Sequence, residues 1–172
     1  MHGTARIAGA ALAATLGLGL GAGSARADRN TDFLARLNGS WTGSGQVRSA
    51  PGAAPGATRC RLTGSGSGNS VTISGACDGA AKNAQIVVDL RWSAPTGQVL
   101  GTFQGGGETG TARLAGKISG RTLTMQVTSQ NGGTGHMVLT FAGDRSASLK
   151  VTGRDRDAGG TVTWVDVRLS KG

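Results

Sequence analysis

The strongest constraint on this chain is a two-residue rhythm. From Trp41 to Leu169, apolar side chains alternate with Thr, Ser, Arg and Gln, and glycine-rich breaks interrupt the pattern about every 8–14 residues. A period of two places successive side chains on opposite faces of an extended strand, which specifies half-buried β-structure rather than helix. Two of the breaks can be tested by register, because a hairpin's turn fixes which residues share a face. In CRLTGSGSGNSVTISGAC, a two-residue turn at Gly68-Asn69 sets Leu62 opposite Gly75, Gly64 opposite Ile73, Gly66 opposite Val71 and Cys60 opposite Cys77. In TARLAGKISGRTLTMQVTS, a turn at Gly120-Arg121, glycine first as type II′ geometry favours, pairs Ile118 with Leu123, Gly116 with Met125 and Leu114 with Val127. Arg113, Lys117, Thr122 and Gln126 then share the opposite face.

The first hairpin also makes a covalent prediction. Counted outward from its turn, Cys60 and Cys77 form a non-hydrogen-bonded pair, with Cα atoms about 4.5 Å apart. That lies within the roughly 4.4–6.8 Å a disulfide accepts. Closing such a loop stabilises by about 3 kcal/mol in the chain-entropy model. A redox or metal pair would want a C-x-x-C spacing or a nearby histidine, and neither is present.

The same reading continued gives about ten strands, near 41–48, 58–66, 70–77, 84–92, 98–104, 109–118, 122–128, 136–142, 146–152 and 161–170. Residues 31–38, TDFLARLN, read as a short helical turn before the first strand, capped by Asp32 or Thr31. One strand face collects Leu62, Ile73, Ile86, Val88, Leu90, Trp92, Val99, Phe103, Leu114, Ile118, Met125, Leu139, Phe141, Leu149 and Val151. A long meander must close or hide its edges. The expectation is therefore an all-β, closed antiparallel up-and-down barrel of about 8–10 strands, apolar inside, with a two-sheet sandwich as the rival. An outer-membrane barrel needs the reverse, an apolar outside with aromatic girdles. This chain has no tyrosine, and its other strand face is rich in Arg, Lys and Thr.

The N-terminus reads as an address rather than as structure. Ile7 to Leu20 is apolar apart from glycines and Thr15, and Ala25-Arg26-Ala27 is an A-x-A cleavage pattern. The apolar run is shorter than the roughly 20 residues a membrane span needs. Residues 1–27 are thus expected to be a signal peptide cleaved after Ala27. Residues 28–40 form an N-terminal arm and helical turn, and 41–172 the barrel of a periplasmic or secreted monomer. An oxidising compartment suits the disulfide. Without residues 1–27 the chain carries 16 basic and nine acidic side chains, a net +7. The basic residues are spread along the chain and are not interleaved with aromatics, so no single-stranded nucleic-acid platform is indicated.

Leu37-Asn38-Gly39-Ser40-Trp41, after a helical turn and opening the first strand, resembles the G-x-W signature of the calycins, which include lipocalins, fatty-acid-binding proteins and avidins. The resemblance implies that Trp41, with Gly39 beside it, plugs the barrel's closed end beneath an arginine from near the C-terminus. Arg168 is the candidate. By alternation Arg168 shares a face with Trp164 and Asp166, and Val165, Val167 and Leu169 take the other; which face turns inward is left open. The chain is also similar to small exported bacterial proteins that read FLA-R-L-x-G-x-W-x-G-x-G before a two-cysteine hairpin, a likeness that brings no activity with it.

Catalytic chemistry has few residues to use. Beyond residue 27 there is one histidine, His136, and one glutamate, Glu108. His136 alternates with Met137, Leu139 and Phe141 and so should face solvent, which also argues against haem ligation. Glu108 lies in FQGGGETG, where strand pattern resumes at once, unlike a phosphate-binding loop that leads into a helix. No catalytic residue, metal site or cofactor is expected. Asp155 and Asp157 in RDRDAGG are interleaved with arginines, which oppose a divalent cation, and the proline-braced loop from Ser49 to Thr58 suits the rim of a barrel mouth. The leading expectation is a small hydrophobic ligand inside the barrel, lined by Leu62, Ile73, Val88, Leu90, Trp92, Phe103, Leu114, Met125, Leu139 and Phe141. The alternatives are a protein-interaction module such as a periplasmic protease inhibitor using Asp28 to Asn38 as its arm, an enzyme, or a packed barrel of structural role.

Overall fold

A computed structural model describes residues 24–105, 110–155, 157 and 159–172, with the backbone alone described for 24–28. Most of the expected signal segment, and Glu108, lie outside the described residues. A helix, α1 (Ser24–Arg36), precedes ten strands: β1 (Gly39–Val47), β2 (Gly56–Ser67), β3 (Ser70–Gly79), β4 (Ala84–Ser93), β5 (Gln98–Gly105), β6 (Thr111–Ser119), β7 (Thr122–Ser129), β8 (Thr134–Phe141), β9 (Ser146–Asp155) and β10 (Gly160–Lys171). Each strand pairs antiparallel with its chain neighbour, and β1 pairs with β10 to close the barrel. Closure leaves no free edge and excludes the sandwich.

The two tested hairpins take the registers their turns dictate. Leu62 faces Gly75, Gly64 faces Ile73 and Cys60 faces Cys77 in one; Ile118 faces Leu123 and Leu114 faces Val127 in the other. Gly68 and Gly120 both sit at φ +58°, while Asn69 and Arg121 stay out of the positive region, as type II′ turns require. The Cys60–Cys77 sulfurs are bonded, with Cα atoms 4.0 Å apart.

The alternation becomes an inside and an outside. Val71, Leu90, Val99, Leu114, Leu123, Met125, Leu139 and Phe141 are buried on the inner face. Arg59, Arg91, Arg113, Lys117, Lys150 and Arg168 stand exposed on the outer one. His136, paired with Gln126 and Thr152, is also outward and exposed. A polar outside around an apolar inside is opposite to what a lipid-facing barrel needs.

Three features depart from the sequence reading. The helix begins earlier than residue 31 and ends at Arg36, so Thr31 and Asp32 lie within it instead of capping it. Its extent follows from tertiary packing: Phe33, Leu34 and Leu37 share one face and are buried in the barrel end. The second is a β-bulge in β10, where Thr163 pairs with Thr152 but Val165 pairs with Val151. The extra residue, Trp164, escapes simple alternation. The third concerns Arg168. Beyond the bulge Val165, Val167 and Leu169 line the interior, so Arg168 is exposed on the outer wall opposite Ser44, and it does not meet Trp41.

Candidate functional site

The barrel interior divides into two halves of different character. At the α1 end it is packed solid. Phe33, Leu34 and Leu37 from α1 and the turn after it meet Trp41, Val71, Leu90, Trp92, Val99, Leu123, Met125, Leu139, Phe141, Ala147 and Leu169, all buried. Phe141 is the hub, with ring centroids 5.0 Å from Phe33 and 6.1 Å from Trp41. The Trp41 indole N–H donates to the Leu37 carbonyl at 2.9 Å, which ties the plug to the turn above it. That turn lies so close to β2 that a Cβ at Gly64 would stand 1.9 Å from the Leu37 oxygen.

The cation above Trp41 is Lys171, not Arg168. Lys171 pairs with Trp41 across β10 and β1, and its Nζ lies 5.4 Å from the indole centroid. The same ammonium donates to the Arg36 carbonyl, the last of α1, at 3.2 Å. One charge therefore serves the indole face and the negative end of the helix dipole. Gly39, at φ +99°, makes room for it: a Cβ there would meet Lys171 Cε at 2.9 Å. Arg168 instead borders an open polar groove of about 430 Å³ on the outer wall, with Ser44, Gln46 and Asp166.

The rest of the interior is less tightly sealed. Leu62, Ile73, Val88, Phe103, Val127, Met137, Leu149 and Val165 point inward, pack against this core and are half-buried, as is Ile118 beside the Gly120 turn at the packed end. The two aromatics of this half lie along the wall. A Cβ at Gly105 would meet the Phe103 ring at 2.4 Å, and one at Gly153 would meet the Trp164 indole at 3.1 Å, so each ring packs close against a glycine.

The ten residues expected to line a ligand site are thus divided. Leu62, Ile73, Val88 and Phe103 are partly buried, Leu62 directly beside Trp41, whereas Leu90, Trp92, Leu114, Met125, Leu139 and Phe141 are buried in the core. Val127, Met137, Leu149 and Val165, also partly buried and inward, were not among the ten. Val127 carried a signal in its pairing with Leu114, and Met137 one in its alternation with Leu139.

The mouth is held by polar contacts. Asp155 is fully buried and accepts hydrogen bonds from the Gly52 amide at 3.1 Å and the Asp157 amide at 2.9 Å. Arg48 donates to the Ala53 carbonyl and, at 3.2 Å, to the Thr163 carbonyl. Together they fasten the Ser49–Thr58 loop to β9 and β10, a rim position as its composition suggested. Asp155 and Asp157 are engaged in this fastening, and no group of three or more His, Cys, Asp or Glu among the described residues could hold a metal ion. In the packed half, Trp92 presents a buried indole N–H with no hydrogen-bond partner.

What these features define is a closed ten-stranded antiparallel barrel, stoppered at one end by a helix. No protein-family model matches the chain, and no curated protein is significantly similar to it in sequence.

Proposed function

We propose that the protein is an exported, non-enzymatic β-barrel that holds a small apolar ligand in the less sealed half of its interior. One observation supports the reading: eight inward-facing apolar side chains away from α1 are only partly buried, whereas nearly all of those around α1 are sealed. Apolar surface left against water forgoes about 25 cal/mol per Å², so a ligand that covers this wall gains what the fold leaves unused. A ten-stranded barrel encloses more volume than ordinary side chains fill, because diameter grows with strand number. The G-x-W likeness to the calycins belongs with this reading, and so does export of a disulfide-bonded chain. The inhibitor alternative needed residues 28–38 as a projecting arm, but Phe33 and Leu34 are 2% and 1% exposed within the barrel end. That segment is a stopper.

The test is extraction of protein purified from its own host, followed by mass spectrometry of the organic phase, together with titration of an environment-sensitive apolar dye. A stoichiometric small molecule, or dye binding lost on Val88→Phe, is the expected result. Repeated absence of any extracted molecule, with dye emission unchanged, would remove the proposal.

A further inference from the structure

The fold gathers on one wall cations that the sequence spreads along the chain. Two rows of outward side chains cross the strands near the α1 end. One runs Thr122, Thr140, Ser148 and Arg168 over β7–β10, and the next runs Lys117, Thr124, Val138, Lys150 and Asp166 over β6–β10. Arg121 stands beside the first row in the β6–β7 turn, and Arg145 in the β8–β9 turn. All five cations are exposed, and none forms an ion pair among the described residues. Arg121 and Arg145 donate to the Phe141 and Lys171 carbonyls, at 2.9 and 3.2 Å, which positions both guanidinium groups and leaves them charged. Asp166, the strand partner of Lys150, is the one acid in the rows; Asp144, next to Arg145, instead pairs with Arg36 of α1 at 3.8 Å. Five cations against Asp166 give this face a net +4, with the Arg36–Asp144 pair neutral. On the outer faces of β2–β4, by contrast, Arg59, Arg61 and Arg91 are mixed with Asp78 and Asp89, a net +1, and Arg61 pairs with Asp78 at 3.7 Å.

The shape of the face matches its charge. Lys117 and Lys150 stand three strand spacings apart, about 14 Å, so no single small anion meets all five cations. A closed barrel is convex, and a flat partner touches it first along a crest. On the crest strands β7, β8 and β9 the outward side chains near α1 are mostly short: Thr122, Thr124, Val138, Thr140 and Ser148. Long cations stand down the slopes at Lys117 and Arg168 and at the end turns at Arg121 and Arg145. Short groups on the crest and long ones beside it bring the tips toward one plane. Val138, 36% exposed, puts an apolar group at its middle. Negative charge spread over a plane, with apolar matter beneath, describes an anionic bilayer.

We infer that this face of β6–β10 rests on a membrane bearing anionic phospholipid, with the barrel lying on the bilayer and not spanning it. The five cations engage lipid phosphates, and Val138 enters the head-group layer. The contact is independent of what the barrel interior holds.

The test is co-sedimentation of the protein, purified from its own host, with vesicles of phosphatidylcholine alone or of equimolar phosphatidylcholine and phosphatidylglycerol. Binding should require the anionic lipid and should be lost between about 0.1 M and about 1 M salt, as the screening length falls from about 10 Å to about 3 Å. Each cation near such a surface contributes about fivefold to partitioning, so Lys117→Gln combined with Lys150→Gln should weaken binding about 25-fold. Arg59→Gln combined with Arg91→Gln removes the same charge from the opposite wall and should weaken it less than about threefold. Equal weakening by the two pairs, or equal binding to phosphatidylcholine alone, overturns the inference. So does failure to bind either vesicle; retention of soluble polygalacturonate in that case would assign the face to an acidic polysaccharide instead.

Discussion

Replacing Lys171 by Met keeps the aliphatic stem and deletes one charge, which isolates what that charge does at the closed end. Two interactions vanish. The first is the cation–π contact with Trp41 at 5.4 Å, worth from about 0.5–1 kcal/mol exposed to about 2 when desolvated. The second is the 3.2 Å hydrogen bond to the Arg36 carbonyl, where a cation at a helix C-terminus contributes about 0.3–1 kcal/mol. Lys171 is half-buried, so intermediate values apply, and the two overlap because one ammonium makes both. The expected loss is about 1–2.5 kcal/mol. For a domain of this size that lowers Tm by roughly 3–8 °C. Arg168→Met, on the exposed outer wall, should stay within about 0.5 kcal/mol of the parent. Urea unfolding followed by far-ultraviolet circular dichroism measures both, and a double-mutant cycle with Trp41→Phe should return a coupling of about 0.5–2 kcal/mol. Hydrogen exchange in α1 should quicken in Lys171→Met, since the charge holds the helix's last turn. Equal stability of the two variants, or a larger loss at Arg168, would refute the assignment of the plug's cation.

Other outcomes follow from the same structure. Reduction of Cys60–Cys77, or its replacement by two alanines, should cost about 3 kcal/mol by denaturant titration, since the bridge closes 17 residues of sequence separation. Trp92→Phe should be neutral or raise Tm by a few degrees, because it removes a buried donor with no partner; such an orphan costs about 1–3 kcal/mol. A loss above about 2 kcal/mol would mean a bound water satisfies the indole. Val88→Phe and Val99→Phe make the same change in the two halves. The first, into the less sealed half, should cost under about 1 kcal/mol, and the second, at a residue 0% exposed, about 1–3 kcal/mol. Equal penalties would mean that the interior is filled throughout.

Much of this architecture could be read directly from the chain, because a hairpin's register is a local property. Gly68-Asn69 and Gly120-Arg121 fixed their turns, and period two then fixed every pair out to Cys60–Cys77 and Leu114–Val127. Features decided by non-local pairing were less accessible. Whether Lys171 or Arg168 approaches Trp41 depends on how β1 meets β10, strands at opposite ends of the barrel sequence. No turn residue reports that register. The bulge at Trp164 was hidden for another reason: it inserts one residue without a glycine to mark it. The division of the ten expected lining residues into sealed and partly buried sets needed the position of α1, whose stripe of Phe33, Leu34 and Leu37 is visible in sequence while its docking site is not.

The less sealed half itself has a compositional origin. Six aromatic side chains serve a barrel of ten strands, and four of them, Phe33, Trp41, Trp92 and Phe141, gather in the packed half. The remaining two, Phe103 and Trp164, pack close against Gly105 and Gly153. The rest of that wall is aliphatic, with side chains too short to meet across the diameter that closure imposes. Bulk concentrated at one end therefore leaves the other to shorter aliphatic side chains, and that is the wall on which the proposed ligand would lie. A substitution that adds bulk to that wall, as Val88→Phe does, should separate the two properties, costing little stability while it removes ligand affinity. In the sealed half the two should fall together, because distortion there reaches that wall only by loosening the fold.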